Sequence, residues 1–397
     1  MLFLEVYDSD YSSYFQLFLL NKESILSDFL SIYVHWPFCK SKCPYCDFNS
    51  HVRNAVDLNQ FIDAYLIELD SYQHVLNGKI IKSIFFGGGT PSLAPPVFFE
   101  KVINKISKYS TLAPQIEVTL EANPTSSEAK KFYDYSRAGV NRVSIGIQSF
   151  NQKYLKFLGR EHSADEAREA IFYAAKYFSR YSFDLIYALP EQSLKSWEEE
   201  LSVAIKYTNK HMSVYQLTIE KGTQFYGDYK KKKFTMPNQN IAADFYYITQ
   251  NILSKYGMPQ YEISNHAAAG EESIHNMTYW EYGDYLGIGA GAHGRYTFNS
   301  IKYATVNTHL PEKWLKQIEE RGNALQHKEE LSEDEQNEEK IIMGLRLSKG
   351  VDKKLLFNKR KYKQLLEDGY LDEGENLVRA TEKGRLVLNR LISELIV

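Results

Sequence analysis

The chain is poor in the features that would commit it to secretion, to a membrane or to nucleic acid. Among 397 residues there are only three cysteines, all within eight positions. An odd number at so tight a spacing excludes a disulfide framework and points to a reducing compartment. There is no excess of basic charge. The net charge is −3, which argues against a protein held on nucleic acid by bulk electrostatics. Long apolar runs are lacking too, and a stretch such as 15–20 is far too short to span a bilayer. The first eight residues carry no basic side chain, so a secretory leader is not expected. A cytoplasmic location is the expectation. With 44% hydrophobic and 24% charged residues, the composition is that of a globular chain, long enough for one large α/β domain and a small one.

What is present is a rhythm. Residues 1–30 are aromatic without clear periodicity and are set aside as an extension of unknown role. From residue 31, β-branched and aromatic stretches predict strands at 31–36, 82–86, 116–120, 142–147, 183–189 and 213–219. Helical spacing fills the intervals, near 59–76, 96–108, 126–138, 151–158 with 164–178, and 194–207. Such alternation implies right-handed βαβ units and a parallel sheet. A closed barrel needs eight strands. The fold class expected is therefore α/β, a partial (β/α)6 TIM-like barrel over 31–300, with no seventh or eighth unit of the same kind. Residues 301–337, polar and highly charged from 311 on, read as a linker. Residues 338–397 read as helix, helix, ribbon, helix, a small C-terminal winged-helix-like domain. Its mixture of acids and bases favours protein packing over DNA binding.

Polar and glycine residues collect just after the strands, at the edge where parallel α/β folds bind ligands. They include the cysteine loop Cys39-Lys40-Ser41-Lys42-Cys43-Pro44-Tyr45-Cys46, the run Gly87-Gly88-Gly89-Thr90, Glu121, Gln148, Arg160 and Asp184. Any one of these could be a turn or cap; their recurrence at five strand ends is the signal. Thiolates at this spacing suit an iron–sulfur cluster or zinc. Zinc would need His35 or His51 as a fourth ligand. A [4Fe-4S] cube with three cysteines keeps one iron open to a small molecule. Three cysteines merely tucked into a core is the inert alternative.

Cys-x3-Cys-x2-Cys in the loop after the first strand of such a barrel resembles the radical S-adenosylmethionine (SAM) superfamily. Further stretches narrow the likeness: Tyr33-Val34-His35-Trp36-Pro37-Phe38-Cys39, the glycine run, Glu121-Ala122-Asn123-Pro124, 144–150, Leu158-Gly159-Arg160-Glu161-His162 and Asp184-Leu185-Ile186-Tyr187. From about residue 31 onward the chain is similar to the branch containing oxygen-independent coproporphyrinogen III oxidases and heme chaperones of the HemW type. The resemblance implies that Cys39, Cys43 and Cys46 hold a [4Fe-4S] cluster whose open iron takes SAM. It implies that Tyr33 contacts SAM and that Gly88, Gly89 and Thr90 receive its methionyl part. Glicine suits that place because backbone amides can approach a ligand unhindered by Cβ. Glu121, Gln148, Arg160 and Asp184 are implied for SAM's charged and ribose groups. Ala188 departs from the glycine usual in this family and adds a methyl there.

Two features separate the branches. The oxidases carry a fourth cysteine two residues after the third; here that residue is Phe48, as in the chaperones. Downstream, His275-Asn276-Met277-Thr278-Tyr279-Trp280 within 261–294 matches a motif proposed for heme binding. Imidazole is a common heme ligand, and Tyr279 and Trp280 offer flat apolar surface. Core packing is the bland alternative for all three. The glycine-rich stretch 285–294 is common to both branches, and His266, His275 and His293 could each be structural. The leading expectation is a heme chaperone that passes heme to an acceptor protein, free or membrane-associated, as monomer or homodimer, with no nucleic acid. If SAM is cleaved, an electron donor is needed as well. The alternative is the oxidase, which decarboxylates coproporphyrinogen III to protoporphyrinogen IX.

Overall fold

The computed structural model describes residues 28–396 apart from 54 and 357. Most of the expected extension 1–30 therefore lies outside the described residues, and Phe29 and Leu30 already belong to the first strand. In chain order the strands of the main sheet are β1 (Phe29–Trp36), β2 (Ile80–Gly88), β3 (Thr111–Ala122), β4 (Arg142–Gln148), β5 (Arg180–Tyr187) and β6 (His211–Gln216). They continue as β7 (Asn265–Ala267), β8 (Tyr285–Ile288), β9 (His293–Phe298), β10 (Ile301–Asn307) and β11 (Leu325–Glu330). Across the sheet the order is β11-β10-β9-β8-β1-β2-β3-β4-β5-β6-β7. The six expected strands lie side by side and parallel from β1 to β6.

The expectation of no seventh unit is corrected. β8 pairs parallel with β1 on its other side, Tyr33 opposite Gly287. It is only four residues long and contains a glycine, so it lacks the β-branched run that marks a strand in sequence. The expected linker 301–337 is corrected as well. β9, β10 and β11 extend the sheet antiparallel, and β7 closes the opposite edge antiparallel to β6. β11 looks like a linker because it is an outer edge, with five of its six residues exposed. Charge on an edge strand blocks pairing with other chains. Between β10 and β11 the helix Pro311–Arg321 buries Trp314, Leu315 and Ile318. Trp314 packs on Phe61 and Tyr65 of the helix Leu58–Ser71, at ring separations of 6.0 and 4.9 Å.

Helices cover the sheet because each presents an apolar stripe. Leu58–Ser71 buries Phe61, Ile62, Tyr65 and Leu69, the spacing of one helix face. Ala164–Tyr177 starts at a reciprocal cap between Ser163 and Glu166 and buries Ala167, Ala170, Ile171 and Ala174. β1, β2 and β5 have no exposed residue, as expected of strands in the interior of a covered sheet.

The C-terminal block has its own core of Ile341, Leu345, Val378, Leu391 and Leu395. A three-stranded antiparallel sheet, 351–352 next to 377–380 next to 371–373, packs with the helices Glu333–Gly344, Lys359–Glu367 and Leu388–Leu395. The block docks on the main sheet through Arg295, whose guanidinium donates to both carboxylate oxygens of Glu339 at 2.8–3.1 Å.

Candidate functional site

The C-terminal ends of the parallel strands surround a cavity of about 970 Å³. Cys39, Cys43 and Cys46 lie at its mouth and are free thiols, each half-buried. The loop that carries them is pinned on several sides. The Phe225 amide donates to the Pro44 carbonyl (2.9 Å), and Cys46 closes a turn on the Cys43 carbonyl (3.1 Å). Each sulfur has a polar neighbour. Thr90 Oγ1 donates to Cys39 Sγ (3.3 Å), Arg160 Nη1 to Cys43 Sγ (3.4 Å), and Ser50 Oγ lies 3.9 Å from Cys46 Sγ. Burial pushes the Cys39 and Cys46 thiols up, against the hydrogen bonds from Thr90 to Cys39 and from Ser50 to both. Donors aimed at sulfur favour the thiolate form that iron binds.

The alternatives for these thiols can be weighed on the donor set. His35 Nε2 donates to the Asn49 carbonyl and Nδ1 stands 2.9 Å from the Tyr33 hydroxyl, so both its nitrogens are engaged. His51 Nε2 pairs with Asn49 Oδ1 at 3.0 Å. Among the described residues no three His, Cys, Asp or Glu groups surround one metal position. One cysteine per iron is the arrangement of a cluster, and three free, half-buried thiols on one loop lining a common cavity suit it.

Behind the loop, every residue expected for SAM lines the same cavity: Tyr33, Gly88, Gly89, Thr90, Glu121, Gln148, Arg160 and Asp184. One expectation about them is corrected. The backbone amides of the glycine run are not open to a ligand. Gly88 donates to Glu121 Oε2 (3.1 Å), Gly89 to the Trp36 carbonyl (2.7 Å) and Thr90 to the Phe38 carbonyl (2.8 Å). The glycines serve close approach instead. A Cβ on Gly89 would lie 2.7 Å from the Phe38 carbonyl oxygen and 3.1 Å from Cys39 Sγ. Without side chains there, β2 can hold the cysteine loop by its backbone.

Arg160 ties the loop to the sheet. Its Nη2 donates to Asn123 Oδ1 (2.7 Å) and to the Gly146 carbonyl (2.8 Å), while Nη1 reaches Cys43. Its Nε is buried without a partner, an unmet donor beside the cavity. Gln148 has φ +71°, an uncommon conformation for a residue with a side chain and one that tends to mark functional sites. The Tyr215 hydroxyl holds its Oε1 at 2.9 Å. Deeper in, Glu121 is pushed up to about 8, first by burial and then by the charge of Asp184. Asp184 is pushed up to about 6 by burial, against hydrogen bonds from Ser213 and Ser144. Two buried carboxylates thus line the cavity, and among the described residues no cation pairs directly with either, an arrangement that favours a positively charged ligand. Asn123, Ser144, Ser213 and Tyr215 were not expected at the site. Asn123 lay within a quoted motif, but only its partnership with Arg160 gives it a role.

The heme motif sits differently. Helix Ile274–Trp280 packs under β1 and β2, and its N-terminus is held by Glu117, which accepts from the amides of Ile274 (3.2 Å) and His275 (3.1 Å). His275 is 1% exposed. Its Nδ1 pairs with Ser83 Oγ (2.9 Å), its Nε2 with the Tyr279 hydroxyl (2.6 Å), and its ring stacks on Phe85 at 4.9 Å. Burial pushes its pKa down to about 3, so the ring is neutral, with one nitrogen donating and one accepting. The expected open iron ligand is therefore corrected: both nitrogens are occupied. Tyr279 does line the cavity, but its ring packs edge-on to Tyr285 at 4.4 Å. Trp280 is not part of the cavity wall. His275 and Tyr279 brace the cavity wall, their rings packed against Phe85 and Tyr285. Phe48, by contrast, is 61% exposed at the mouth.

Comparison with known proteins agrees with this geometry. The Radical SAM superfamily profile matches residues 33–204, and the HemN C-terminal domain profile matches 331–387. The chain is 36% identical to the heme chaperone HemW of Escherichia coli K12, over 91% of this chain and 97% of that one. It is 35% identical to HemW of Buchnera aphidicola subsp. Schizaphis graminum, with the same coverage. It is 37% identical over 81% of its length to 73% of the zebrafish mitochondrial radical S-adenosyl methionine domain-containing protein 1. In structure it is similar to coproporphyrinogen III oxidase (HemN) of Escherichia coli, with a TM-score of 0.78 and 22% identity over 96% of this chain and 93% of that one; at that identity the likeness speaks for the fold alone.

Proposed function

Because the chain belongs to the HemW heme chaperone family of the radical SAM superfamily, we propose that it binds heme and transfers it to an acceptor protein. The [4Fe-4S] cluster and SAM expected of this family supply one open iron site and a one-electron chemistry when bound. Cys39, Cys43 and Cys46 would hold the cluster. Thr90 and Arg160 donate to Cys39 and Cys43 Sγ, and Arg160 holds the loop against β3 and β4. Tyr33, Gln148, Glu121 and Asp184 would receive SAM, the two carboxylates facing its positive charges.

The observation that carries this reading is the convergence of three free thiols and all eight residues expected for SAM on one cavity, in a chain 36% identical over 91% of its length to a heme chaperone. Phe48 in place of a fourth cysteine favours the chaperone over the oxidase. Heme and an acceptor protein are the partners of this reading; a cytoplasmic location is part of the proposal. Among the described residues no helix is long and apolar enough to cross a membrane.

The test is anaerobic reconstitution with iron and sulfide, followed by heme titration and a coproporphyrinogen assay with SAM and reductant. A cluster band together with a saturable Soret band is expected. Protoporphyrinogen formation would replace the chaperone reading with the oxidase.

A further inference from the structure

One buried charge in the cavity lacks its counterpart. Arg142 opens β4, is 3% exposed and lines the cavity. Among the described residues its guanidinium makes a single hydrogen bond, from Nη1 to Thr119 Oγ1 at 3.4 Å. Its ion-pair partner Glu117 stands 3.8 Å from Nε, beyond hydrogen-bond reach. Glu117 is occupied elsewhere: it accepts from Ser273 Oγ (3.3 Å), the amides of Ile274 (3.2 Å) and His275 (3.1 Å), and Arg180 Nη1 (2.9 Å). A carboxylate has about four acceptor positions, and these are filled. Asp184 takes its hydrogen bonds from Ser144 and Ser213. A guanidinium kept for structure alone closes its fork on a carboxylate, as Arg295 does on Glu339 at 2.8–3.1 Å. Arg142 is buried with its fork open, and a buried charge without a hydrogen-bonded partner is strongly disfavoured.

Arg142, Ser144, Gly146 and Gln148 alternate along β4, and all four line the cavity. At about 3.3 Å per residue, Arg142 lies roughly 13 Å below Gly146, whose carbonyl receives Arg160. Small side chains, Ser144 and Ser213, form the wall between. Asn276 lines the same cavity, and among the described residues its side-chain amide has no hydrogen-bond partner. Its backbone amide donates to Ser273, which in turn donates to Glu117 beside Arg142. We propose that this lower part of the cavity is a second binding site, separate from the residues expected for SAM, in which Arg142 and Asn276 hold the carboxylate of a small molecule. The planar fork of arginine meets a carboxylate with two parallel bonds. A propionate arm of a porphyrin, the source that rests on the heme-chaperone reading, and a free carboxylic acid both supply that group.

The experiment uses the full chain with its cluster reconstituted and two pairs of measurements. Hemin is compared with hemin dimethyl ester by absorption titration, and succinate is tested by its effect on the thermal midpoint. If the source is a propionate, wild type binds hemin on the order of tenfold or more tighter than the ester. Arg142→Gln then loses that preference while keeping its affinity for the ester and for SAM. If the source is a free acid, hemin and ester bind alike, and succinate raises the midpoint of wild type but not of Arg142→Gln. Arg142→Lys keeps the charge without the fork and falls between the two. Each readout compares two ligand states of one protein, so general loosening of a variant does not imitate it. Wild type that neither distinguishes hemin from its ester nor responds to succinate would overturn the site, and that result needs no variant to fold. So would an Arg142→Gln protein that discriminates as wild type does, or one that loses SAM instead. Wild type that responds to succinate but binds neither hemin nor ester would refute the heme reading and leave the site standing.

Discussion

If Glu121 and Asp184 receive SAM as proposed, SAM binding depends on pH. Glu121 is pushed up to about 8 by burial and by Asp184. At pH 7 and without ligand it is mostly neutral. A ligand carrying a sulfonium and an ammonium favours the ionised form, so binding expels a proton and strengthens as pH rises. With a pKa near 8, roughly 1% of Glu121 is ionised at pH 6 and about half at pH 8, so affinity should improve about 50-fold over that span from this group alone. SAM's own amino group titrates at about 8 as well, and wild type alone cannot separate the two. Glu121→Gln can. The amide oxygen still accepts from the Gly88 amide, so the strand end is kept, while the titration is removed. Equilibrium dialysis of labelled SAM against the reconstituted protein from pH 6 to 8.5 should give a wild-type slope steeper than the variant's by up to one unit. Parallel profiles would refute the assignment of Glu121 to SAM's positive charge. The sign for stability is the reverse. A carboxyl with a raised folded pKa stabilises least when ionised, so the SAM-free protein loses stability as pH rises from about 4.5 to 8, by at most about 1.4 kcal/mol per unit. Its thermal midpoint should fall across that window, and Glu121→Gln should flatten the fall.

Arg160→Lys keeps the charge but cannot span Asn123, Gly146 and Cys43 together. Loss of the donor to sulfur should lower the cluster's reduction potential, by roughly tens of millivolts within the wide span such clusters show; an unchanged potential in voltammetry would remove Arg160 as a tuning group. His275→Ala deletes a buried ring, removes one of the two partners of Ser83 Oγ and strands the Tyr279 hydroxyl, and should cost about 2–4 kcal/mol in urea unfolding. A loss below about 0.5 kcal/mol would mean the ring does not brace the cavity wall. Ala188 is 1% exposed at φ +56°, which explains the family's preference for glycine. In Ala188→Gly, relief of about 1–2 kcal/mol of left-handed strain is offset by about 0.8 for the lost methyl burial and about 0.4–1 for the freer unfolded chain. The change should therefore stay within about 1 kcal/mol, and a stabilisation above 2 kcal/mol would show that the methyl crowds the site.

The six central strands were legible because each is a short apolar run followed by a polar or glycine residue, a pattern that survives in one dimension. β8 was not, because four residues with a glycine in the middle carry no periodic signal; its place is set by the neighbouring β1. Nor was β11, whose charges answer to its edge position. The site residues were legible because they gather in or just after the C-terminal halves of the strands: Tyr33, Glu121 and Asp184 lie within β1, β3 and β5, and Gly88 and Gln148 close β2 and β4. Their roles were less so. The glycine run reads as a ligand cradle, yet its three amides are spent on Trp36, Phe38 and Glu121. The His-Asn-x-x-Tyr-Trp stretch reads as a ligand, yet Glu117 caps its helix and Ser83 and Tyr279 satisfy its imidazole. A sequence shows which polar groups are near a site; hydrogen-bond partners decide which of them remain free for it.

The same distinction applies to the cysteine loop. On its inner side it faces the cavity, and on its outer side Asn49 anchors the turn that carries His309. The two sides are joined by short contacts: the Tyr33 hydroxyl to His35 Nδ1, His35 Nε2 to the Asn49 carbonyl, and the Asn49 amide to the His309 carbonyl, none longer than 3.0 Å. Burial pushes His35 down to about 4, so the ring stays neutral at physiological pH and keeps one donor and one acceptor in that chain. That chain of hydrogen bonds fixes the cysteine loop between β1 and the turn at His309.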